Sequence, residues 1–212
     1  MDFMIQSFHV FQKGGPVMYL LLLGSLFVVA IAVERFFYYK KANTDMQQLL
    51  PELTPLLERG SWDNAMEVCR RTGGVVSMVA GKGIQCYQQG NDDCVETVLE
   101  GEASLTASRL RENLNYLDTI VTMAPLVGLL GTVIGMINSF SVMNVKSGQP
   151  MAITGGVGEA LVATASGLVV AILAMAAYSY FTHRLDQIIT DIEQICTMLV
   201  VPVKRGKKYE TA

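Results

Sequence analysis

Thr132, Thr164, Ser166 and Glu159 are the residues whose types and spacing suit them to handling an ion. They are three hydroxyls and one carboxylate in or beside stretches almost empty of charge. Residues 119–145 (27 residues) and 160–183 (24 residues) contain no Asp, Glu, Lys or Arg, and neither does 14–33 (20 residues). A helix needs about 20 mainly apolar residues to cross the hydrocarbon core of a bilayer. All three stretches are long enough, so Glu159 is expected in the outer part of a third span. A carboxylate at that depth is costly and marks an ion path, a cavity or a basic partner. If span two leaves the membrane near Phe140 and span three returns near Gly156, Thr132 and Thr164 each lie about 12 Å below the outer surface. Two hydroxyls are then level on neighbouring helices. A lone membrane threonine ordinarily bonds back to a carbonyl of its own helix, so Glu159 is what favours a functional reading. Ser166 is expected on the side of Thr164, adding a third oxygen. The chain offers no second deep acid to pass a proton on.

Other chemistries find less support. Cys69, Cys86, Cys94 and Cys196 show no Cys-x-x-Cys or Cys/His zinc spacing, so no metal site is expected and the four are read as small core residues. Ser166-Gly167 with His183 suggests an intramembrane protease. The Gly-x-Ser-Gly nucleophile motif would need Gly where Thr164 stands, and His183 is about 25 Å away along the same helix. With a net charge of -3 there is no basic face for nucleic acid. A charged fraction of 17% is low against about 25% for a soluble domain, and the three span-length stretches that account for it exclude a soluble single-domain enzyme.

The elements that must position these residues follow from the same arithmetic. The fold class is an all-α membrane protein with three transmembrane helices and long cytoplasmic helical extensions. The segments are 1–16, an N-terminal amphipathic piece carrying Phe3, Met4, Phe8 and Phe11; 17–38, span one; 39–115, a cytoplasmic helical region; 116–141, span two; 142–155, an outer loop; 156–183, span three; and 184–212, a cytoplasmic helix with a basic tail. Of 16 Lys and Arg, 14 fall in 35–111 and 184–208. The positive-inside rule then gives an N-out, C-in topology. Glu34, Arg35, Asp118 and Arg184 mark the cytoplasmic boundary, where a solvated or paired charge is ordinary. Span one is bulky and aliphatic, as a lipid-facing helix should be. Spans two and three carry Gly128, Gly131, Gly135 and Gly167, small residues that let helices approach closely in lipid, and are expected to be buried among protein.

Helical patterns continue outside the membrane. Trp62, Ala65, Met66 and Cys69 recur at helical spacing after Ser61, a good N-cap. Asn91-Asp92-Asp93 can cap a helix that meets no proline before Pro125, which predicts one unbroken helix over 91–140. Leu185, Ile188, Ile189, Ile192, Ile195, Cys196 and Leu199 form an apolar stripe ending at Pro202. That stripe must bury itself against the chain's own bundle or against further copies.

Two segments carry a resemblance. Ala124-Pro125-Leu126-Val127-Gly128-Leu129-Leu130-Gly131-Thr132-Val133-Ile134-Gly135 and Gly155-Gly156-Val157-Gly158-Glu159-Ala160-Leu161-Val162-Ala163-Thr164-Ala165-Ser166-Gly167 look like the signature segments of the MotA/TolQ/ExbB proton channel family. The Glu34-Arg35 pair fits too, and three spans resemble ExbB or TolQ rather than four-span MotA. The resemblance implies no enzyme but a stator subunit of the bacterial inner membrane, five copies surrounding a dimer of an ExbD/TolR-type single-span partner whose membrane aspartate is the missing acid. Thr132 and Thr164 match the family's pore threonines, and Glu159 its span-three glutamate. A TonB/TolA-type protein and the lipid bilayer complete the implied partners, with H⁺ as coupling ion, Na⁺ as the lesser option and no cofactor. The alternatives are a TolQ-like envelope-maintenance or gliding motor and a non-conducting scaffold. Where relatives often have Pro, this chain has Leu173, so a kink in span three is not expected.

Overall fold

A computed structural model describes residues 15–91, 94–145 and 150–210, and among these every regular element is helical. The expected amphipathic segment around Phe3, Met4, Phe8 and Phe11 and the Asp92-Asp93 cap lie outside the described residues. The helices are α1 (Val17–Ala42), α2 (Met46–Glu58), α3 (Trp62–Thr72), α4 (Gly74–Gln88), α5 (Val95–Arg111), α6 (Leu114–Val145) and α7 (Pro150–Glu210). Three stretches, within α1, α6 and α7, are long and apolar enough to cross a membrane. The chain divides into two compact units, 1–34 with 113–180 and 35–112 with 181–212.

In the first unit the cores of α1, α6 and α7 meet through Val17, Met18, Leu21, Ala124, Val170 and Ala171, with Ile120, Val127 and Ile134 against them. On α1 the bulky Leu20, Leu22, Leu23, Leu26 and Phe27 are exposed, as a lipid-facing wall requires. Spans two and three were expected to be enclosed by protein, yet within one chain they bury only their small-residue stripes. Leu126, Leu129, Ile137, Leu161, Ile172 and Leu173 are all more than half exposed. One glycine face per helix covers one neighbour, and the large residues left over need lipid or further protein.

The second unit holds α2 to α5 with the C-terminal parts of α1 and α7. Asp45 caps α2 by accepting from the Gln47 and Gln48 amides at 3.1 and 3.3 Å, and α2 buries Leu49, Leu53 and Leu57 one turn apart. Ser61 does stand at the N-cap of α3, but makes no side-chain cap bond. Gly74 at φ +80° opens α4 where any Cβ would strike the Asn43 carbonyl at 2.7 Å, so the position requires glycine. The apolar stripe of α7 packs into its own unit: Leu185, Ile188, Ile192, Ile195 and Leu199 are buried. Lys204 reaches Glu96 at 2.8 Å, and Phe181 stacks on Tyr39 with centroids 5.7 Å apart. The helix does not stop at Pro202 as expected. A single proline removes one ladder bond and kinks a helix without having to end it.

Two further expectations are corrected here. The helix predicted over 91–140 is broken after Arg111, with Glu112 extended and Asn113 at φ +65°. Asn is one of the few residues that tolerate this conformation, and Arg35 and Tyr39 meet the carbonyl that the break leaves open. Arg35 Nη1 and Tyr39 Oη both donate to Leu110 O, at 3.3 and 2.8 Å. Arg35 is 3% exposed and lies 4.8 Å above the Tyr38 ring, so this boundary charge serves as a buried cap donor. Of the four cysteines only Cys69 is buried; Cys86 and Cys196 are half-buried and Cys94 is exposed.

Candidate ion path in the membrane unit

The pairing of α6 with α7 is set by glycines. A Cβ on Gly128 would lie 3.1 Å from the Thr164 Cα, one on Gly131 2.6 Å from the Ala163 Cβ, and one on Gly135 2.9 Å from the Ala160 Cβ. From the other side, a Cβ on Gly167 would lie 2.6 Å from the Ala124 carbonyl. Gly128, Gly131, Gly135 and Gly167 therefore bring two backbones to near contact.

That closeness puts the two threonines at one level. Thr132 Oγ1 donates to Leu129 O at 2.6 Å, and Thr164 Oγ1 crosses to α6 and donates to Gly128 O at 3.0 Å. These are consecutive carbonyls of one helix, about 1.5 Å apart in height. Both hydroxyls sit on the Gly128 flank of the interface. Each spends its proton inside the chain and presents lone pairs outward, so the pair can accept a hydrogen bond and has no proton left to donate.

Glu159 and Ser166 lie elsewhere. The Glu159 carboxylate lies against Gly15, where a Cβ would come within 2.5 Å of Oε1, and Val17 touches the Gly131 position on the same flank. Ser166, seven residues on, shares the face of Glu159 and is roughly 200° round the helix from Thr164. It does not stand beside Thr164 as expected, because two residues along a helix reverse the direction of a side chain. The structure thus brings Thr132 and Thr164 together on one flank and sets Glu159 with Ser166 on the flank nearer the start of α1.

The boundary residues separate likewise. Glu34 Oε2 accepts from Asn113 Nδ2 at 3.3 Å, Arg35 is buried as described, Arg184 donates to Gln187 Oε1 at 3.4 Å, and Asp118 is exposed. Sequence reasoning missed Asn113 and the capping role of Tyr39. A tyrosine four residues after an arginine at a helix end is the signal that could have pointed to shared capping. Among the described residues no cluster of His, Cys, Asp or Glu is able to hold a metal. A cavity of about 490 Å³ lies between α1 and α6, lined mainly by Leu20, Leu21, Phe27, Ile120, Met123 and Val127. Its lining is apolar and it lies on the face of α6 opposite the threonines.

The sequence model of the MotA/TolQ/ExbB proton channel family matches residues 74–194. An ExbB homolog of Methanothermobacter thermautotrophicus is 31% identical, covering 90% of this chain and 68% of that protein. The biopolymer transport protein ExbB of Neisseria meningitidis is 30% identical over 93% of this chain and 97% of its own length. The Tol-Pal system protein TolQ of Pseudomonas aeruginosa is 37% identical over 44% of each chain.

Proposed function

Because the chain belongs to the MotA/TolQ/ExbB proton channel family, and is a multi-pass membrane protein of the ExbB/TolQ kind, we propose that it is the proton-conducting stator subunit of an inner-membrane motor. Five copies, N-out and C-in, surround a dimer of a single-span ExbD/TolR-type partner that carries a membrane aspartate. The observation that carries this reading is the level pair of Thr132 and Thr164 with both hydroxyl protons already committed.

The chemistry follows from those lone pairs. A neutral carboxyl group on the partner can donate to them, whereas an ionised carboxylate meets acceptors only and stands in an apolar wall without a donor. The partner acid is therefore stabilised at this level when protonated and expelled toward water when it loses its proton. Loading from one side and release to the other would turn this preference into movement. One charge moved through 100 mV is worth about 2.3 kcal/mol, enough to drive such a step. Glu159, set against Gly15 where α1 begins, complements the positive end of that helix and fixes the outer end of the wall. Na⁺ is the weaker choice, since Ser166 does not join the threonines. The process energised, whether TonB-dependent uptake, envelope maintenance or gliding, follows from the partner's outer domain.

A non-conducting scaffold is the second reading, favoured by the same fact that both hydroxyls are satisfied within the chain. The assembly is tested by co-expressing the chain with a single-span partner and weighing the complex intact in mild detergent. Five copies with two partners are expected; a chain that stays monomeric and retains no partner contradicts the stator.

A further inference from the structure

The three faces of α6 leave one stripe unaccounted for. One face, with Ile120, Ala124 and Val127, packs toward α1. A second, with Gly128, Gly131 and Gly135, packs on α7. Asp118, Thr122, Pro125, Leu129, Thr132 and Met136 follow one another at spacings of three or four residues along a third. Asp118 is two heptads before Thr132, so the two project within about 40° of each other and about 21 Å apart along the axis. Val127, on the α1 face, is half a turn round from Asp118.

We infer that Asp118 is the inner-mouth acid of the ion path, taking each proton after it has passed the Thr132 and Thr164 level and handing it to cytoplasmic water, with Thr122 as the hydroxyl just above it. This rests on the stator reading. Asp118, Glu34 and Glu159 are the charged residues described in the membrane unit, which carries no described Lys or Arg. Glu34 is engaged by Asn113 and Glu159 stands at the far end against Gly15. Asp118 is exposed on the threonine stripe, and among the described residues no ion pair to it forms.

Thr122 stands one turn, about 6 Å, above Asp118. Its hydroxyl donates to Thr119 O at 2.9 Å and so also presents lone pairs. Pro125, lacking an N–H, gives no ladder bond to the Val121 carbonyl, which leaves a further acceptor near Thr122. Between this polar mouth and the threonine pair the stripe holds Pro125 and Leu129. That apolar stretch hinders water from carrying protons through unaided, so passage depends on the partner's carboxyl group. The proton then moves from that carboxyl through water to an Asp118 oxygen, which releases it to the cytoplasm and returns to its starting charge.

The test uses the full chain with its single-span partner in lipid vesicles loaded with a pH-sensitive dye, with flux driven by a potassium diffusion potential. Asp118→Asn is expected to lower the initial proton flux at least tenfold, Asp118→Glu to stay within twofold of wild type, and Thr122→Val to lose several-fold, all with unchanged partner retention. Wild-type flux in Asp118→Asn overturns the inference. If Thr132→Val still blocks flux in that case, the stator reading survives alone; if Thr132→Val also conducts normally, or wild type does not conduct, both fall. Should Asp118→Asn fail to assemble, Asp118→Ser decides by the same criterion, and loss of flux in Asp118→Glu to the level of Asp118→Ser counts against a relay.

Discussion

At the residue scale, several side chains do work that their type alone does not announce. The Leu110 carbonyl, left open where α5 ends, takes two donors from α1 more than seventy residues away in sequence. Tyr39→Phe removes one of them and is expected to cost about 1 kcal/mol, read as a lower melting temperature in detergent. Gly167→Ala would force a Cβ against the Ala124 carbonyl and is expected to cost about 1–3 kcal/mol. Gly158, with nothing within 4 Å of a Cβ, should accept Ala without loss. Burial pushes the Cys69 thiol up from 9.0 to about 11; burial, helped by Glu100 and Glu193, does the same for Cys196. Both stay neutral in the folded chain while unfolded thiols ionise, so stability present below pH 9 should fall as pH rises from 9 toward 11. Maleimide at neutral pH should modify exposed Cys94 well before Cys69. The sequence could name the deep threonines and Glu159 because hydroxyls and a carboxylate stand out in an apolar run. That Ser166 points away from Thr164 was legible too, since two residues along a helix turn a side chain by roughly 200°; that Arg35 is buried was not, because its acceptor is distant in the chain.

At the element scale, apolar run lengths and glycine spacing were legible, and so was the stripe of α7, because burial imposes a helical period on sequence. The break between α5 and α6 was not, since no Gly or Pro marks it. Asn113 makes it by occupying a left-handed backbone at φ +65°, which its short polar side chain tolerates. Asn113→Gly and Asn113→Ala both lose the bond to Glu34, so their difference isolates the backbone. The alanine variant is expected to be less stable by about 1 kcal/mol in thermal unfolding, because a Cβ strains this conformation. Equal stabilities would place the cause of the break in the hydrogen bonds of Arg35 and Tyr39 alone.

At the scale of the whole molecule, the low charge noted in the composition has acquired a distribution. The described part of the membrane unit keeps only carboxylates, and α6 and α7 expose broad apolar faces that one chain cannot cover. Such faces need lipid or further protein to cover them, and under the proposed function a partner brings the titrating acid to Thr132 and Thr164. The most direct test of that claim is proton flux into partner-containing vesicles under an imposed potential, comparing wild type with the Thr132→Val and Thr164→Val double variant. Flux in wild type that drops at least tenfold in the double variant, with assembly and partner retention intact, is the predicted result; undiminished flux in the double variant would contradict the account.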